Sequence, residues 1–422
     1  MPRSTTITSN LRLCAALCLL AGQTMALAAQ AQTPGDCRRA LLEQLGWRFD
    51  AAQAIPGPRI EPGRPCERAD LQEALAAGDL HVTVPANADG TALGDVYDAL
   101  LEHPATTCAY AFRLGDATRR AVDRLAANTG YRFSALQLGW IGFGPTGSRR
   151  DGWRPVASFG RGYVPRDGNW RAIEGFYHGH VRAECGVGRQ VAQYAAQAEL
   201  YGPDGFDAAF DADEIVIGRW RVLNAGNGIL QGASAGTFTR DGDARKAAAM
   251  GRQAFAGVPG FIEHSFARHT LDDINNQAQN FVVYKVDAEA AAALREAGGF
   301  AHYNALAREL WELSRGFPAE HRHYFQRLLV EREPALRAAL DPSQHATLSR
   351  MDAIVSDPFF SGFRIYVHRH GVRPVGEHFV RMLDRNPRTP FHIEFALHNV
   401  HTTLRDRYFA FLLAGCNAAE VD

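Results

Sequence analysis

The segment 185–201, CGVGRQVAQYAAQAELY, sets the strongest limit on how this chain can fold. Its apolar positions recur at helical spacing from Val187 onward, and Pro203 ends the run. The spacing predicts a buried helix whose first turn begins between Cys185 and Gly188. A cysteine followed by two nearby glycines therefore stands at the start of a core helix.

The position of Cys185 makes it a candidate nucleophile. A thiol in the first turn of a helix lies at the positive end of the helix dipole, where unpaired backbone N–H groups stabilise the thiolate. The same N–H groups can receive the oxyanion that develops on a substrate carbonyl. Gly186 and Gly188 would let backbone and substrate approach closely. A structural thiol, half of a disulfide and a metal ligand stay open as other roles for this cysteine.

A nucleophilic cysteine needs a base, and the base needs a group that orients it. The best candidate base is His264, which follows Cys185 in the chain and precedes Asp272 and Asp273. The order cysteine, histidine, aspartate or asparagine is typical of many Cys–His–Asp/Asn enzymes. The sequence therefore predicts His264 as the base and Asp272 or Asp273 as its orienter. Three other histidines remain as alternative bases: His269, His178 and His180.

A second candidate site lies in the histidine-rich C-terminal region. Strand alternation over FRIYVHRHGVRP places Tyr366, His368 and His370 on one face. Imidazole and carboxylate ligands on shared faces are what a zinc or other transition-metal site needs. The sequence thus keeps open a metal-dependent hydrolase. Its four candidate ligands are His392, Glu394, His398 and His401.

Residues 1–31 predict a cleaved secretory signal peptide. Two arginines precede a short apolar run, and the tripeptides 26–28 (ALA) and 29–31 (AQA) each fit an A-x-A cleavage site. The sequence has no other long apolar run, so we expect no stable membrane insertion of the mature protein. We expect the mature protein in the periplasm or outside the cell.

Export makes disulfide pairing expected. Two of the seven cysteines lie in the signal peptide, so an odd number remains and at least one thiol is left over. We expect Cys37 to pair with Cys66, because both lie in a segment rich in Pro, Gly and Arg. Cys108 would then pair with Cys416, and Cys185 would be left as the thiol. In the alternative, Cys185 is paired and Cys108 or Cys416 is a buried thiol.

The charge balance of the chain excludes some classes of partner. The 422 residues carry 45 Lys and Arg against 46 Asp and Glu, for a formal net charge of -1. Without a basic excess, we expect neither a nucleic-acid partner nor an anionic membrane surface. The expected partner is a protein or peptide substrate. No cofactor is expected, and the oligomeric state stays open.

The predicted elements indicate an α+β fold with four parts. These are a signal peptide (1–31), a disulfide-stapled N-terminal segment (32–70), a catalytic cysteine domain (71–287) and a helical and β C-terminal region (288–422). Helices are expected over 115–130, with Asp116 as a capping residue, and over 320–343. The stretch 144–170 is dense in Gly, Arg, Pro and aromatic residues, and it is interpreted as an ordered loop region at a binding cleft.

The stretch AECGVGRQVAQYAAQAELYGPDGFDAAF (183–210) resembles the nucleophile helix of bacterial protein-glutamine gamma-glutamyltransferases. In that family a cysteine opens a long helix, a phenylalanine-rich loop follows, and then comes a strand comparable to EIVIGRWRVL (214–223). The resemblance spans residues 170–285. It implies a papain-like core of the transglutaminase type, attack on a glutamine carboxamide and a thioester at the nucleophile. Glu263 or His264 would match the acid/base members of the family.

The function expected from the sequence is that of an exported cysteine-dependent acyl transferase or amidohydrolase acting on protein or peptide amides. Transamidation, deamidation and hydrolysis would all pass through a thioester at Cys185. Two other classes stay open. One is the metal-dependent hydrolase at the C-terminal histidines, and the other is a non-catalytic envelope binding protein whose cysteines are all structural.

Overall fold

The computed structural model describes most of the chain between residues 34 and 418. The described residues are 34–45, 47–49, 58–60, 97–133, 142–143, 152–158, 160–178, 181–183, 185–218, 255–264, 278–318, 323–368, 370–385, 387, 389–395, 400 and 403–418. Within them, some residues are described by their backbone alone, among them Glu263, His264 and Glu394. The predicted signal peptide lies outside the described residues.

Helices and strands form a mixed arrangement, so the α+β class predicted from the sequence is confirmed. The α-helices are α1 (Pro34–Gln44), α2 (Pro104–Ala127), α3 (Asn169–Glu174), α4 (Cys185–Tyr201), α5 (Pro203–Ala209), α6 (Ala288–Glu296), α7 (Phe300–Ser314), α8 (Pro334–Ala338), α9 (Pro342–Val355), α10 (Pro358–Gly362), α11 (Val375–Leu383) and α12 (Thr403–Ala418). The strands are β1 (Trp47–Phe49), β2 (Pro58–Ile60), β3 (Tyr131–Phe133), β4 (Gly142–Phe143), β5 (Trp153–Ser158), β6 (Gly160–Pro165), β7 (Val181–Ala183), β8 (Ile217–Gly218), β9 (Pro259–His264), β10 (Ala278–Val286), β11 (Phe363–Val367), β12 (Gly371–Pro374) and β13 (Phe391–Phe395). In the described part of the chain, no helix has the length and apolar character needed to span a bilayer.

The centre of the fold is a five-stranded antiparallel sheet in the order β12-β11-β10-β9-β13. In the middle strand, β10, the adjacent residues Val282 and Val283 are both 0% exposed. Because neighbouring strand residues point to opposite faces, both faces of the sheet are covered. Strands β9 and β10 precede residue 287 and β11 to β13 follow it, so the sheet joins chain from both sides of the predicted domain boundary.

Helix α4 covers one face of the sheet, where it packs against β10 and against α2. Side chains around almost its whole circumference are buried, glutamines included. A hydrogen bond of 3.1 Å from the hydroxyl of Tyr284 on β10 to Asp123 on α2 ties this helical layer to the sheet. The predicted helix is confirmed, since α4 begins at Cys185 and ends at Tyr201. Gly202, the residue after it, has a φ of 76°, a left-handed conformation that suits the end of a helix.

Helix α2 is longer than predicted, because it begins before Gly115 and runs through it. Leu114 and Ala117 are buried on either side of Gly115, so tertiary packing offsets the low helix propensity of glycine. Asp116 lies inside the helix and does not cap it. Its carboxylate instead contacts Arg119 one turn further on.

The loop predicted over 144–170 is wrong in its second half, which contains the hairpin of β5 and β6. The register pairs Trp153 with Pro165 and Ser158 with Gly160. Trp153 and Val164 are buried, so these strand residues gain from packing that the surrounding glycines and arginines do not reveal in the sequence.

The single helix predicted over 320–343 is also wrong. Residues 326–330 form a π-helical turn, and Pro334 and Pro342 begin two separate helices, α8 and α9. Proline suits the first turn of a helix but lacks the N–H group that a helix interior needs. Two prolines in one amphipathic stretch therefore divide it.

The segment FRIYVHRHGVRP is a hairpin and not one strand. Strand β11 ends at Val367, and β12 begins at Gly371, whose φ of 69° suits a tight turn. The backbone N–H of His370 donates to the carbonyl oxygen of Val367 at 2.8 Å. The strand face predicted to be shared by Tyr366, His368 and His370 is therefore wrong, because both histidines follow the end of β11.

An aromatic cluster covers the sheet face opposite α4. The ring of Phe395 on β13 stacks on that of Phe300 on α7, with centroids 4.6 Å apart. The same ring lies 5.4 Å from that of Phe281 on β10. Phe395 therefore links two strands of the sheet to the helices that cover this face.

Replacement of Phe395 by alanine is expected to lower the free energy of unfolding by about 3–5 kcal/mol, because a fully buried ring is lost and a cavity remains. Urea denaturation followed by circular dichroism measures the change. Phe411→Ala is the matched control, since the ring of Phe411 on α12 is only partly buried and its loss should cost less than half as much. Equal losses in the two variants would contradict this account of the core.

Candidate functional site

Cys185 is the first residue of α4 and closely follows β7, a short strand that pairs in parallel with β3. Its side chain is 9% exposed and is a thiol, not half of a disulfide. The first N–H groups of any α-helix lack an acceptor within the helix. The thiol of Cys185 is therefore held beside backbone donors, as the sequence predicts.

The predicted pair of Cys108 and Cys416 is wrong. Cys108 is a thiol buried within α2, where the surrounding core encloses it as a small apolar side chain. Cys37 is disulfide-bonded. Its predicted partner, Cys66, lies outside the described residues, so that pairing stays a prediction.

Asn280 on β10 brings a side-chain amide to the sulfur of Cys185. The Nδ2 atom lies 3.5 Å from Sγ, within hydrogen-bonding reach of a sulfur acceptor. A donor in this position stabilises the thiolate more than the thiol. Asn280 is not among the residues predicted from the sequence, which places the start of the strand at Phe281. A polar residue directly before a buried apolar run was the available signal.

Arg189 adds a buried cationic side chain to the beginning of α4, where it is 5% exposed. Residues four apart in a helix are neighbours on its surface, so Arg189 and Cys185 share one side of α4. A positive charge near a thiol favours the thiolate.

His368 lies over the first turn of α4. Its side chain is 2% exposed, and its Nε2 atom lies 3.1 Å from the carbonyl oxygen of Ala183. The ring meets that of Tyr131 edge to face, with centroids 4.6 Å apart. A Cβ atom at Gly188 would lie 2.5 Å from Cγ of His368, so only glycine leaves room for the imidazole there. The sequence predicts that backbone and substrate can approach closely at Gly188, and in the structure it is the side chain of His368 that lies there.

Asn280 and His368 lie at the same end of the central sheet. Strands β10 and β11 pair Val282 with Tyr366. Asn280 precedes Val282 by two residues and His368 follows Tyr366 by two residues, so both lie beyond this pair at the same end of the sheet. The start of α4 therefore contacts β10, through Cys185 and Asn280, and the turn after β11, through His368.

Buried tyrosines surround this end of the sheet. Burial raises the pKa of Tyr131, which contacts the His368 ring, and of Tyr366, two residues before His368. Both phenols therefore keep their protons at neutral pH. In such apolar surroundings, a charge on the imidazole requires an opposite charge nearby.

The predicted base, His264, is the last residue of β9, where its backbone pairs with Phe391 of β13. The register of β9 and β10 sets Phe261 opposite Asn280 and Glu263 opposite Ala278. By strand alternation, the position of Glu263 falls on the same face of the sheet as Asn280, and the position of His264 falls on the opposite face. The role of His264 stays a prediction.

The remaining predicted residues are less fully placed. Asp272 and Asp273 lie outside the described residues, as do the alternative bases His269 and His180. His178 is exposed and follows a 3-10 turn.

The alternative metal site falls largely outside the described part of the chain. His398 and His401 are not described, and Glu394 is described by its backbone alone. His392 on β13 pairs with Glu263 on β9. Among the described side chains, no group of three or more His, Cys, Asp or Glu comes close enough to hold a metal ion. A site formed by His392, Glu394, His398 and His401 therefore stays a prediction.

Comparison with protein-family models, curated proteins and solved structures gives no match for this chain.

Proposed function

We propose that this chain is an exported cysteine-dependent enzyme that transfers or hydrolyses the acyl group of protein or peptide amides. One observation carries the proposal: Sγ of Cys185, in the first turn of a buried helix, lies 3.5 Å from the side-chain amide of Asn280. A thiol held beside amide donors at a helix N-terminus is arranged to attack a carbonyl carbon. Export rests on the predicted signal peptide.

The proposed reaction has two halves joined by a thioester. The Cys185 thiolate bonds to the amide carbon, and the π electrons of the carbonyl move to its oxygen. The N–H groups of the first turn of α4 and Nδ2 of Asn280 are the donors for this oxyanion. When the oxyanion collapses, the C–N bond breaks and the leaving nitrogen takes a proton from the general acid. Water or a second amine then displaces Cys185, which gives hydrolysis, deamidation or transamidation.

A papain-like core is part of the proposal. Its support is a central helix that begins at a cysteine and packs across an antiparallel sheet. The resemblance to bacterial protein-glutamine gamma-glutamyltransferases suggests a glutamine carboxamide as the acyl donor. In the assignment made from the sequence, His264 is the acid/base, with Asp272 or Asp273 as its orienter. The mechanism requires no cofactor.

The first test is the pH dependence of thiol alkylation in the mature protein, with iodoacetamide, no reductant and detection by mass spectrometry. Cys185 is expected to react with a midpoint below about 8.5, the ordinary thiol pKa, because the helix N-terminus, Asn280 and Arg189 favour its thiolate. Cys108, a thiol in the core, is the internal control and is expected to react only after unfolding. If Cys185 also reacts only after unfolding, the proposal is wrong.

A further inference from the structure

We propose that His368 is the imidazole that takes the proton of Cys185 and returns it to the leaving group. This inference rests on the proposed function, in which Cys185 is the nucleophile. It assigns the acid/base role to a residue that follows the whole of the predicted catalytic domain in the chain.

The ring of His368 lies against the start of α4. The Nε2 atom of His368 lies 3.1 Å from the carbonyl oxygen of Ala183, and its Cβ and Cγ lie against Gly188. Ala183 comes two residues before Cys185 and Gly188 comes three residues after it. The imidazole therefore contacts residues on both sides of Cys185 in the chain.

The register of the central sheet gives a second, separate indication of where His368 lies. Asn280, whose amide is 3.5 Å from Sγ of Cys185, is on the strand next to β11. Val282 pairs with Tyr366, and Asn280 and His368 each lie two residues beyond this pair, toward the same end of the sheet. Two independent elements, α4 and β10, thus locate His368 at the end of the sheet where this sulfur lies.

The hydrogen bond to Ala183 determines which ring nitrogen of His368 carries the proton. A carbonyl oxygen can only accept a hydrogen bond, so the contact with Ala183 requires a proton on Nε2 of His368. In the neutral ring, Nδ1 is then the basic nitrogen. When Nδ1 takes a proton, the Nε2–H bond to the carbonyl becomes charge-assisted and therefore stronger. The carbonyl of Ala183 fixes the ring as an orienting carboxylate or amide does in other sites.

A protonated His368 needs a negative charge nearby, because its ring is buried. Titratable or charged side chains near His368 in the described structure include Tyr131 of β3, whose ring contacts the imidazole, and Tyr366, two residues before it on β11. They also include Cys185 and Arg189 in the part of α4 that His368 contacts. The phenols stay neutral, because burial raises the pKa of each. A Cys185 thiolate would offset the charge of a buried imidazolium. Proton transfer from sulfur to Nδ1 creates both charges together, as an ion pair.

The proton balance is complete without another reactant. The S–H bond of Cys185 breaks, its proton moves to Nδ1, and the sulfur electron pair forms the C–S bond. On collapse of the tetrahedral species, the Nδ1 proton moves to the leaving nitrogen and the C–N bond breaks. In the second half, Nδ1 takes a proton from the attacking water or amine and returns it to sulfur.

The experiment compares four variants of the mature protein: His368→Gln, Gly188→Ala, His264→Gln and His345→Gln. Glutamine at residue 368 keeps an N–H donor for the Ala183 carbonyl but has no basic nitrogen. The methyl group of Gly188→Ala displaces the imidazole. His345, exposed on α9, is the matched histidine control. The pH profile of Cys185 alkylation is measured together with kcat and KM on a glutamine peptide, and circular dichroism checks the fold.

We expect His368→Gln to move the alkylation midpoint of Cys185 up toward about 8.5. We expect kcat to fall by a factor on the order of 10² to 10⁴ with little change in KM, because only proton transfer is lost. Gly188→Ala should shift the profile in the same direction, and His345→Gln should leave it unchanged. A merely structural role for His368 would lower stability without moving the midpoint.

Three results would overturn the assignment. If His264→Gln moves the midpoint and His368→Gln does not, His264 is the base and the proposed function survives without His368. If His368→Gln does not fold and a folded Gly188→Ala keeps the wild-type profile, the assignment also fails. If wild-type Cys185 reacts only after unfolding, the proposed function itself fails, and the role of His368 fails with it.

Discussion

Replacement of Cys185 by alanine is expected to lower kcat for a glutamine peptide by a factor on the order of 10⁴ or more. The reason is that both halves of the proposed reaction require a thioester at this sulfur, and Cys108, the other thiol in the described residues, is enclosed in the core. Ammonia release and incorporation of a fluorescent primary amine measure the two outcomes separately. Cys185→Ser should be almost as inactive, because a hydroxyl does not form the stable anion that the helix N-terminus gives the thiol.

Cys108→Ala is the matched control for this loss. Cys108 is the other buried thiol that the structure describes, and it lies within α2. Its replacement should lower stability and leave kcat near the wild-type value. Turnover that persists in Cys185→Ala would show that the chemistry occurs elsewhere, with the C-terminal histidines as the next candidates. Turnover that is then lost on dialysis against a chelator would identify a metal-dependent hydrolase.

Replacement of Asn280 by alanine is expected to lower kcat by a factor of about 10² to 10³, the usual cost of removing one oxyanion donor. The amide of Asn280 lies 3.5 Å from Sγ, so it can also reach an oxygen on a carbon bonded to that sulfur. KM should change much less, because the donor acts mainly on charge that develops in the transition state.

Asn280→Asp is expected to change the charge beside the sulfur as well as remove the donor. A carboxylate of nearly the same shape removes the donor and adds a negative charge beside the sulfur, so the pKa of Cys185 should rise above that of the wild type. The matched control is Asn304→Ala on α7, which removes a 2.8 Å hydrogen bond from the backbone N–H of Ile393 on β13. That variant should lose stability and keep its kcat. An Asn280→Ala variant with unchanged kcat would exclude the amide from the oxyanion site.

Two elements differ from the sequence prediction because they depend on features that a local residue pattern does not show. The hairpin of β5 and β6 sits in a glycine- and arginine-rich stretch, and its strands depend on the burial of Trp153 and Val164. The break between β11 and β12 depends on the positive φ of Gly371, which turns the chain and ends the strand alternation at Val367. In both cases a long-range contact or a single turn residue outweighs composition.

The sequence by itself determined that Cys185 opens a buried helix. The apolar spacing and the stop at Pro203 are local signals, and helix α4 follows them from Cys185 to Tyr201. The odd number of cysteines expected after signal-peptide removal predicted at least one leftover thiol, and among the described residues Cys185 and Cys108 are both thiols. The helix depends on residues within a few turns of one another, so periodicity is enough to find it.

The tertiary structure alone decided which distant side chains reach that thiol and the helix that carries it. Asn280 is 95 residues from Cys185 in the chain, and His368 is 185 residues from the Ala183 carbonyl that it contacts. Their approach follows from the register of β10 and β11 and from the packing of α4 on β10. Sheet register is set by burial on both faces and not by any local motif, so sequence order favoured His264 while the fold brought His368 to the helix.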